Sequence, residues 1–423
     1  FNVYNNYIER GMFMLLEFRV SNFCSIGKEV VLSMLAGQDK KSGDELLHFE
    51  KYTVLPSCVI YGANGTGKTN LLKAMKFFQQ TVLTSYNNPP EAVLLLPTHK
   101  TMENEKSGFA VQFVADGIRY AYGVEFKKGY VESEYLYYFP KKREAKVFER
   151  HGNKIVRGSK FKDDFVLVEE ALKPNRLFLS CAANLSKNPV LNSVYLYFGK
   201  KWILDYSSDE MWLDQSLKLL TSRKDMKEKF SKFLKSLDIP IRDFMIDQNA
   251  FSVDEIEMPD FMRDFLKQAQ QSELVNVKVL LDYGNFSIEL NEESSGVQKL
   301  FRVLCPIIDA LEHGCLIFFD EFENGLHEFI VSRIIQYFNR YAHVHDAQLV
   351  LITHDTSLLS SKLFRRDQIW FTEMEPEKRF TDLYSMVELK GIRQNENFKN
   401  NYIEGKYGGI PMLGSWVTNK EPQ

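Results

Sequence analysis

Cysteine is scarce and unpatterned. The five residues Cys24, Cys58, Cys181, Cys305 and Cys315 stand far apart, with no CxxC pair among them. That spacing excludes a zinc-hook coiled coil, and the apolar surroundings in FRVLCP and HGCLIFF fit buried, reduced thiols. No stretch of 18 uncharged apolar residues occurs, so no membrane-spanning helix is expected. A basic surplus is missing too, and the net charge of −3 argues against a wholesale nucleic-acid coat. There is no internal repeat and no low-complexity tract. The opening FNVYNNYIERG lacks the basic-then-apolar order of a signal peptide, and the expected location is the cytoplasm.

What remains is ordinary globular chain. With 423 residues, 44% of them hydrophobic and 26% charged, it can form two or three domains around a sizeable core. Its 33 Phe and 20 Tyr are mostly core material.

LLEFRVSNFCSIGKEVVLSM reads as two short strands around a turn at Gly27. SCVIY is a buried strand, GANGTGKT a loop, and NLLKAMKFFQQ an amphipathic helix. From Gly108 to Glu149 the runs FAVQFVA, IRYAYGVEF and VESEYLYYF alternate, broken by DG and KKG turns, which predicts an antiparallel sheet. Between Leu185 and Leu281 the pattern is mainly helical: LNSVYLYFGKKWILDY, DQSLKLL and DMKEKFSKFLKSL fit a 3.6 period, the last stopping before Ile239-Pro240. CLIFFD and AQLVLITHD then alternate with the helical EFIVSRIIQYFNRY, the signature of a parallel sheet.

GANGTGKT, Gly62 to Thr69, fits the phosphate-loop pattern G-x-x-x-x-G-K-[ST] in full and lies between a predicted strand and a predicted helix. Backbone N–H groups of Gly62, Ala63, Asn64, Gly65, Thr66 and Gly67, at a helix N-terminus with Asn70 following, suit phosphate oxygens. Lys68 is expected to reach the β- and γ-phosphates of ATP, and Thr69 to hold Mg²⁺. Asp320, at the end of CLIFFD, is the second expected Mg²⁺ ligand; Glu321 beside it is placed to orient or deprotonate the attacking water. His354 ends LVLITHD at the same sheet edge, where it can hydrogen-bond the γ-phosphate. Ser294, Ser295 and Gly296 open an amphipathic helix, with the hydroxyls as natural N-caps.

Phosphate loop, insert, SSG, FFDE, ENGLH and ITHD follow the order of an ATP-binding-cassette (ABC) type ATPase head, as in SMC and RecF relatives. More narrowly, EESSGVQKLFRVLCPIIDALEHGCLIFFDEFENGLH, AQLVLITHDTSLL, RRDQIWF and NYIEGKYGGIP resemble the bacterial RloA/AbiLi group, AAA-type ATPases of restriction-linked and abortive-infection loci. The likeness is dense over 292–411 and clear over 15–70. It implies an α/β, ABC-type head with a mostly parallel core sheet and an antiparallel β lobe: 12–184 as its first part, with the phosphate loop and the antiparallel lobe; 185–283 as a mainly helical insert; 284–390 as its second part, with the signature, Asp320 and His354; and 391–423 as an extension. It also implies that two copies sandwich ATP, with Lys68, Thr69, Asp320, Glu321 and His354 acting in one chain and Ser294 or Ser295 in its neighbour.

Two departures stand out. The signature reads ESSGVQ rather than LSGGQ, leaving open which serine meets phosphate, and Gln112 remains an unassigned candidate for the Mg²⁺-sensing glutamine. KKREAKVFERHGNKIVRGSKFK, Lys141 to Lys162, carries nine Lys or Arg against two Glu. It is either a solvated face or a contact to DNA or RNA backbone. Asp225–Lys235 poses the same choice.

The expected function is an ATPase switch in anti-phage defence that senses a trigger and controls a separate toxic effector, which the resemblance makes a TOPRIM-type nuclease. Only 69 residues follow His354, with no DxD pair, so the nuclease is expected on another chain. A RecF-like DNA clamp and a scaffold with little turnover are the alternatives.

Overall fold

The computed structural model describes residues 11–37, 45–161, 165–204, 209–252, 273–393 and 396–410. Most of FNVYNNYIERG, Lys162, the middle of the insert and the chain from Pro411 lie outside the described residues.

In chain order, β1 (Met14–Ser21), β2 (Val30–Ser33), β3 (Leu47–Phe49) and β4 (Tyr52–Val54) come first. β5 (Ser57–Gly62) feeds α1 (Lys68–Thr84). A meander follows: β6 (Ser107–Ala115), β7 (Ile118–Lys127), β8 (Tyr130–Tyr138), β9 (Ala145–His151) and β10 (Lys154–Arg157). Next come α2 (Val166–Ala171), α3 (Phe178–Leu185), α4 (Pro189–Lys201), β11 (Trp202–Leu204), α5 (Asp209–Ser222) and α6 (Lys224–Ser236). β12 (Asp243–Ser252), β13 (Glu273–Asp282) and β14 (Ser287–Glu289) precede α7 (Ser295–His313). The chain continues through β15 (Leu316–Asp320), α8 (Glu328–Ala342), β16 (Gln348–Ile352), β17 (Ile369–Met374), β18 (Thr381–Ser385) and α9 (Phe398–Ile403).

Two compact units result, one from 1–205, 310–323 and 334–423, the other from 206–309 and 324–333. The first holds a six-stranded sheet of order β11-β15-β16-β5-β17-β18. Its neighbours are parallel except for the antiparallel edge strand β18. Every residue of β5 and of β16 is buried, as strands covered on both faces require. Register brings three strand ends to one edge: Asp320 pairs with Ile352, and Ile352 with Ile60, two residues before Gly62.

The meander, with β1 and β2, forms a seven-stranded antiparallel sheet in the same unit. Asp116-Gly117 and Lys128-Gly129 occupy two of its two-residue turns, and all four have positive φ, the geometry that matches strand twist in tight hairpins. Helix α1 buries Leu71, Leu72, Met75, Phe78 and Val82 along one stripe. Phe78 stacks on Phe109 and Tyr122 of the meander and packs edge-on against Phe198 of α4. The abundant aromatics are therefore core, and they lock the helix that follows the glycine loop.

The structure differs from the sequence reading between 185 and 289. Lys201 ends α4, and Trp202–Leu204, expected as helix, pairs in parallel with Leu316–Phe318. An exposed edge of β15 favours an aromatic and β-branched tripeptide as strand, overriding the helical period. α6 stops before Pro240 as expected, but Asp243–Ser252 and Glu273–Asp282, expected as helical, are strands that with Ser287–Glu289 form a three-stranded antiparallel sheet; 253–272, also expected as helical, lie outside the described residues. The alternation of Val275, Val277 and Val279 with Asn276 and Lys278 carries that strand signal. Within this second unit Phe230, Phe244 and Phe301 form a tight aromatic cluster with centroids 4.7–5.5 Å apart.

One buried ion pair ties α3 to the meander. Glu134 and Arg150 are 1% and 0% exposed, 3.6 Å apart. Glu134 accepts from the Phe178 and Leu179 N–H groups at the start of α3 and from the Tyr122 hydroxyl. Arg150 donates to the carbonyls of Gly152, Lys173 and Arg176. Each charge is satisfied, so removing one partner leaves the other stranded. Arg150→Met or Glu134→Leu is expected to lower unfolding free energy by about 3–5 kcal/mol, measurable by urea denaturation; a loss within about 1 kcal/mol would show that the pair is dispensable.

Candidate functional site

The glycine loop joins β5 to α1, tightly packed at Gly62 and Gly67 and open at Gly65. A Cβ on Gly62 would stand 2.7 Å from the Thr372 carbonyl oxygen and 2.8 Å from Thr66 Oγ1. Gly67 has φ +98°, and a Cβ there would collide with Thr381 and come within 2.6 Å of Ser25 Oγ. Gly67 precedes α1, and no side chain caps that helix, so its first N–H groups and its dipole are left to an anion.

Hydroxyl groups from distant hairpins brace the loop from behind. Thr66 Oγ1 shares a 2.7 Å hydrogen bond with Thr372 Oγ1 of β17 and donates to the Ala63 carbonyl. Thr381 Oγ1 of β18 donates to the Thr66 carbonyl at 2.8 Å and sits 2.6 Å from Ser25 Oγ, which in turn accepts from Asn70 Nδ2. Thr66 and Asn70, expected as ligand contacts, thus also make internal contacts that hold the loop. Gly62, Ala63 and Thr66 do not line the cavity. Ser25, Thr372 and Thr381 belong to no sequence motif; only the fold makes them neighbours.

The cavity, about 640 Å³, is lined on the loop side by Asn64, Gly65, Gly67, Lys68, Thr69 and Asn70. Asp320, Glu321 and His354 face them, and Cys24, Ser25, His99, Lys100, Met374 and Arg379 complete the wall. Cys24 is therefore half-buried at the cavity, while the other four cysteines are buried as expected. Gln112 lies elsewhere in the first unit, on β6, where it accepts from Arg119 and donates to Glu17. Ser294, Ser295 and Gly296 belong to the second unit. There Ser294 Oγ accepts from the Val297 N–H as an N-cap, and Gly296 abuts the Gly325 carbonyl, at a distance of 2.7 Å from a Cβ built on it.

Lys68 folds back on its own loop, donating to the Gly62 and Ala63 carbonyls at 2.7 and 3.0 Å. Burial pushes its pKa down to about 8, against the pull of Asp320, Glu321 and Glu323. Thr69 Oγ1 donates to Asp320 Oδ2 at 2.7 Å. These are two hard oxygens side by side, the donor type Mg²⁺ selects while drawing its remaining ligands from water and phosphate. Glu321 holds φ +51°, a left-handed backbone costing a non-glycine residue about 1–2 kcal/mol; its N–H donates to the Ile352 carbonyl. Desolvation, and then Lys68, lower the His354 pKa, opposed by Glu323, Glu321 and Asp320. A neutral imidazole beside an ammonium suits binding of a phosphate with directed hydrogen bonds.

The basic stretch is partly consumed by the fold. Arg150 is buried, Lys146 pairs with Glu149 and Arg157 with Glu169, while Lys141, Lys142, Arg143, Lys154 and Lys160 are exposed. Among the described residues no helix is long and apolar enough to cross a membrane.

A phosphate loop, an acid-ended second strand and a histidine-ended third at one parallel-sheet edge define a P-loop ATPase head of the AAA/ABC type. The chain belongs to the family described as "AAA domain, putative AbiEii toxin, Type IV TA system", which matches residues 58–360, well over half its length. Among solved structures it is similar to an Smc head bound to the C-winged helix domain of ScpA, with 13% identity, a TM-score of 0.47, and 88% of this chain and 98% of that one covered. The SMC head domain from Thermotoga maritima gives 12% identity, a TM-score of 0.41 and coverage of 88% and 98%. No curated protein matches the sequence.

The depressed Lys68 pKa sets a pH dependence. A bound triphosphate raises it, so binding takes up a proton once the free lysine has begun to lose its own. ATP affinity is expected to hold steady below about pH 8 and to fall as pH rises beyond it. Calorimetric Kd values from pH 6.5 to 9.5 check this; an affinity flat through pH 9.5 would contradict it.

Proposed function

We propose that this protein is an ATP-hydrolysing switch in anti-phage defence that controls a separate toxic effector. The observation that carries the reading is the convergence of Lys68, the Thr69–Asp320 pair, Glu321 and His354 in one crevice. The toxin–antitoxin association of the family supports the setting.

Lys68 leaves the Gly62 and Ala63 carbonyls for the β- and γ-phosphates, and the α1 N-terminus takes the remaining charge. Thr69 and Asp320 would hold Mg²⁺, which when bound neutralises charge on the phosphate oxygens. Glu321 takes a proton from the attacking water, and His354 hydrogen-bonds the γ-phosphate. Two copies form the working unit, with Ser294 or Ser295 of one reaching the triphosphate held by the other. Both serines are exposed at the start of α7, where a γ-phosphate can be bound by a second helix N-terminus. Hydrolysis removes that link and separates the pair, a two-state device that an effector can read. The RloA/AbiLi resemblance favours a TOPRIM-type nuclease as effector and the cytoplasm as location.

A second reading, a RecF-like clamp closed on DNA by ATP, draws on the exposed cations between Lys141 and Lys160. It requires DNA affinity that ATP strengthens and salt abolishes steeply; a weak, ATP-independent affinity would remove it.

The shared site can be tested by complementation. Lys68→Ala and the double change Ser294→Ala, Ser295→Ala are each expected to abolish turnover alone. An equal mixture leaves one intact site in four, because half the pairs are mixed and half the sites in them are whole, so about a quarter of wild-type ATPase should return. A mixture that stays at background would show that one chain completes its own site.

A further inference from the structure

Behind the crevice stands a carboxylate that none of the expected roles uses. Glu323 follows Asp320 by three residues and ends the first unit's segment before the chain enters the second unit at Asn324. Its Oε1 accepts from the backbone N–H of His354 at 2.8 Å, bridging the end of β15 to the end of β16. Its Oε2 is buried with no hydrogen-bond partner among the described residues. The side chain does not line the cavity, yet its charge acts on Lys68 and His354 within it.

The N–H···O contact itself links the end of β15 to the end of β16, and an amide oxygen at this position would accept it as a carboxylate does. His354 sits on a segment whose other constraints lie on either side of it: the Thr353 N–H is held by the Ile60 carbonyl, and Asp355 caps the turn that follows. Among the described residues, the Glu323 contact is the hydrogen bond that holds the His354 N–H itself.

Resting on the ATPase reading above, we propose that Glu323 is a positioning residue for His354. It fixes where the imidazole stands in the crevice, and so controls turnover rather than nucleotide affinity.

The experiment compares Glu323→Ala and Glu323→Gln, alone and in a His354→Ala background, by steady-state ATPase kinetics, calorimetric ATP binding and thermal unfolding. Glu323→Ala is expected to lower kcat by about 10- to 100-fold, with the ATP Kd within about threefold of wild type. Glu323→Gln should recover most of that rate, because its amide oxygen accepts the same N–H. In the His354→Ala background Glu323→Ala should cost no further rate, since the residue acts through the histidine. Unaltered turnover in Glu323→Ala, Gln no better than Ala, parallel loss of ATP binding, or failure of Glu323→Ala to fold would each overturn the assignment. If the wild-type protein binds ATP without hydrolysing it, the ATPase reading falls and takes this inference with it; wild-type turnover beside an unimpaired Glu323→Ala sinks the inference alone.

Discussion

Parallel pairing of β5, β16 and β15 is the constraint on which the site depends. Strands that run the same way in register must end at the same edge, and here that edge collects Gly62, Asp320 and the Thr353-His354 step. Segments separated by more than 250 residues become neighbours because three apolar strands are each buried on both faces. The seven-stranded sheet serves this arrangement from the other side. Its aromatic face grips α1 through Phe78, so the N-terminus of that helix is aimed by packing rather than by its own loop.

The crevice is electrostatically unbalanced in an instructive way. Lys68 spends its donors on two loop carbonyls, while Asp320, Glu321 and Glu323 bring three carboxylates near it. A triphosphate alone would meet those carboxylates as like charges; together with a divalent cation it does not. A divalent cation bound with the nucleotide would offset those carboxylates. The hydroxyl network of Ser25, Thr66, Thr372 and Thr381 keeps the loop in shape meanwhile, so binding need not order it.

Much of the site was legible in sequence because its chemistry sits in short contiguous motifs. GANGTGKT, FFDE and ITHD each end a buried apolar run, and period and motif agree on strand, loop and helix. The bracing residues were not legible, since Thr372 and Thr381 meet Thr66 only through the pairing of β17 and β18 at the sheet's edge. Glu323 opens the motif ENGLH, and its bond to the His354 backbone leaves no trace in spacing. In the fold, the antiparallel meander followed from alternation and its Asp-Gly and Lys-Gly turns, whereas Trp202–Leu204 was misread because helical periodicity runs on through it. Its strand state is set by the open edge of β15, a partner more than 100 residues away.

The central claim is that this crevice holds a triphosphate through Lys68. Titrating the full chain with ATP and Mg²⁺ in a calorimeter tests it most directly, with Lys68→Ala alongside and thermal unfolding to confirm that both are folded. The account predicts one nucleotide per wild-type chain and an affinity weakened by about 10- to 100-fold in the folded variant. Equal affinity in the two proteins, or no heat of binding in the wild type, would contradict it.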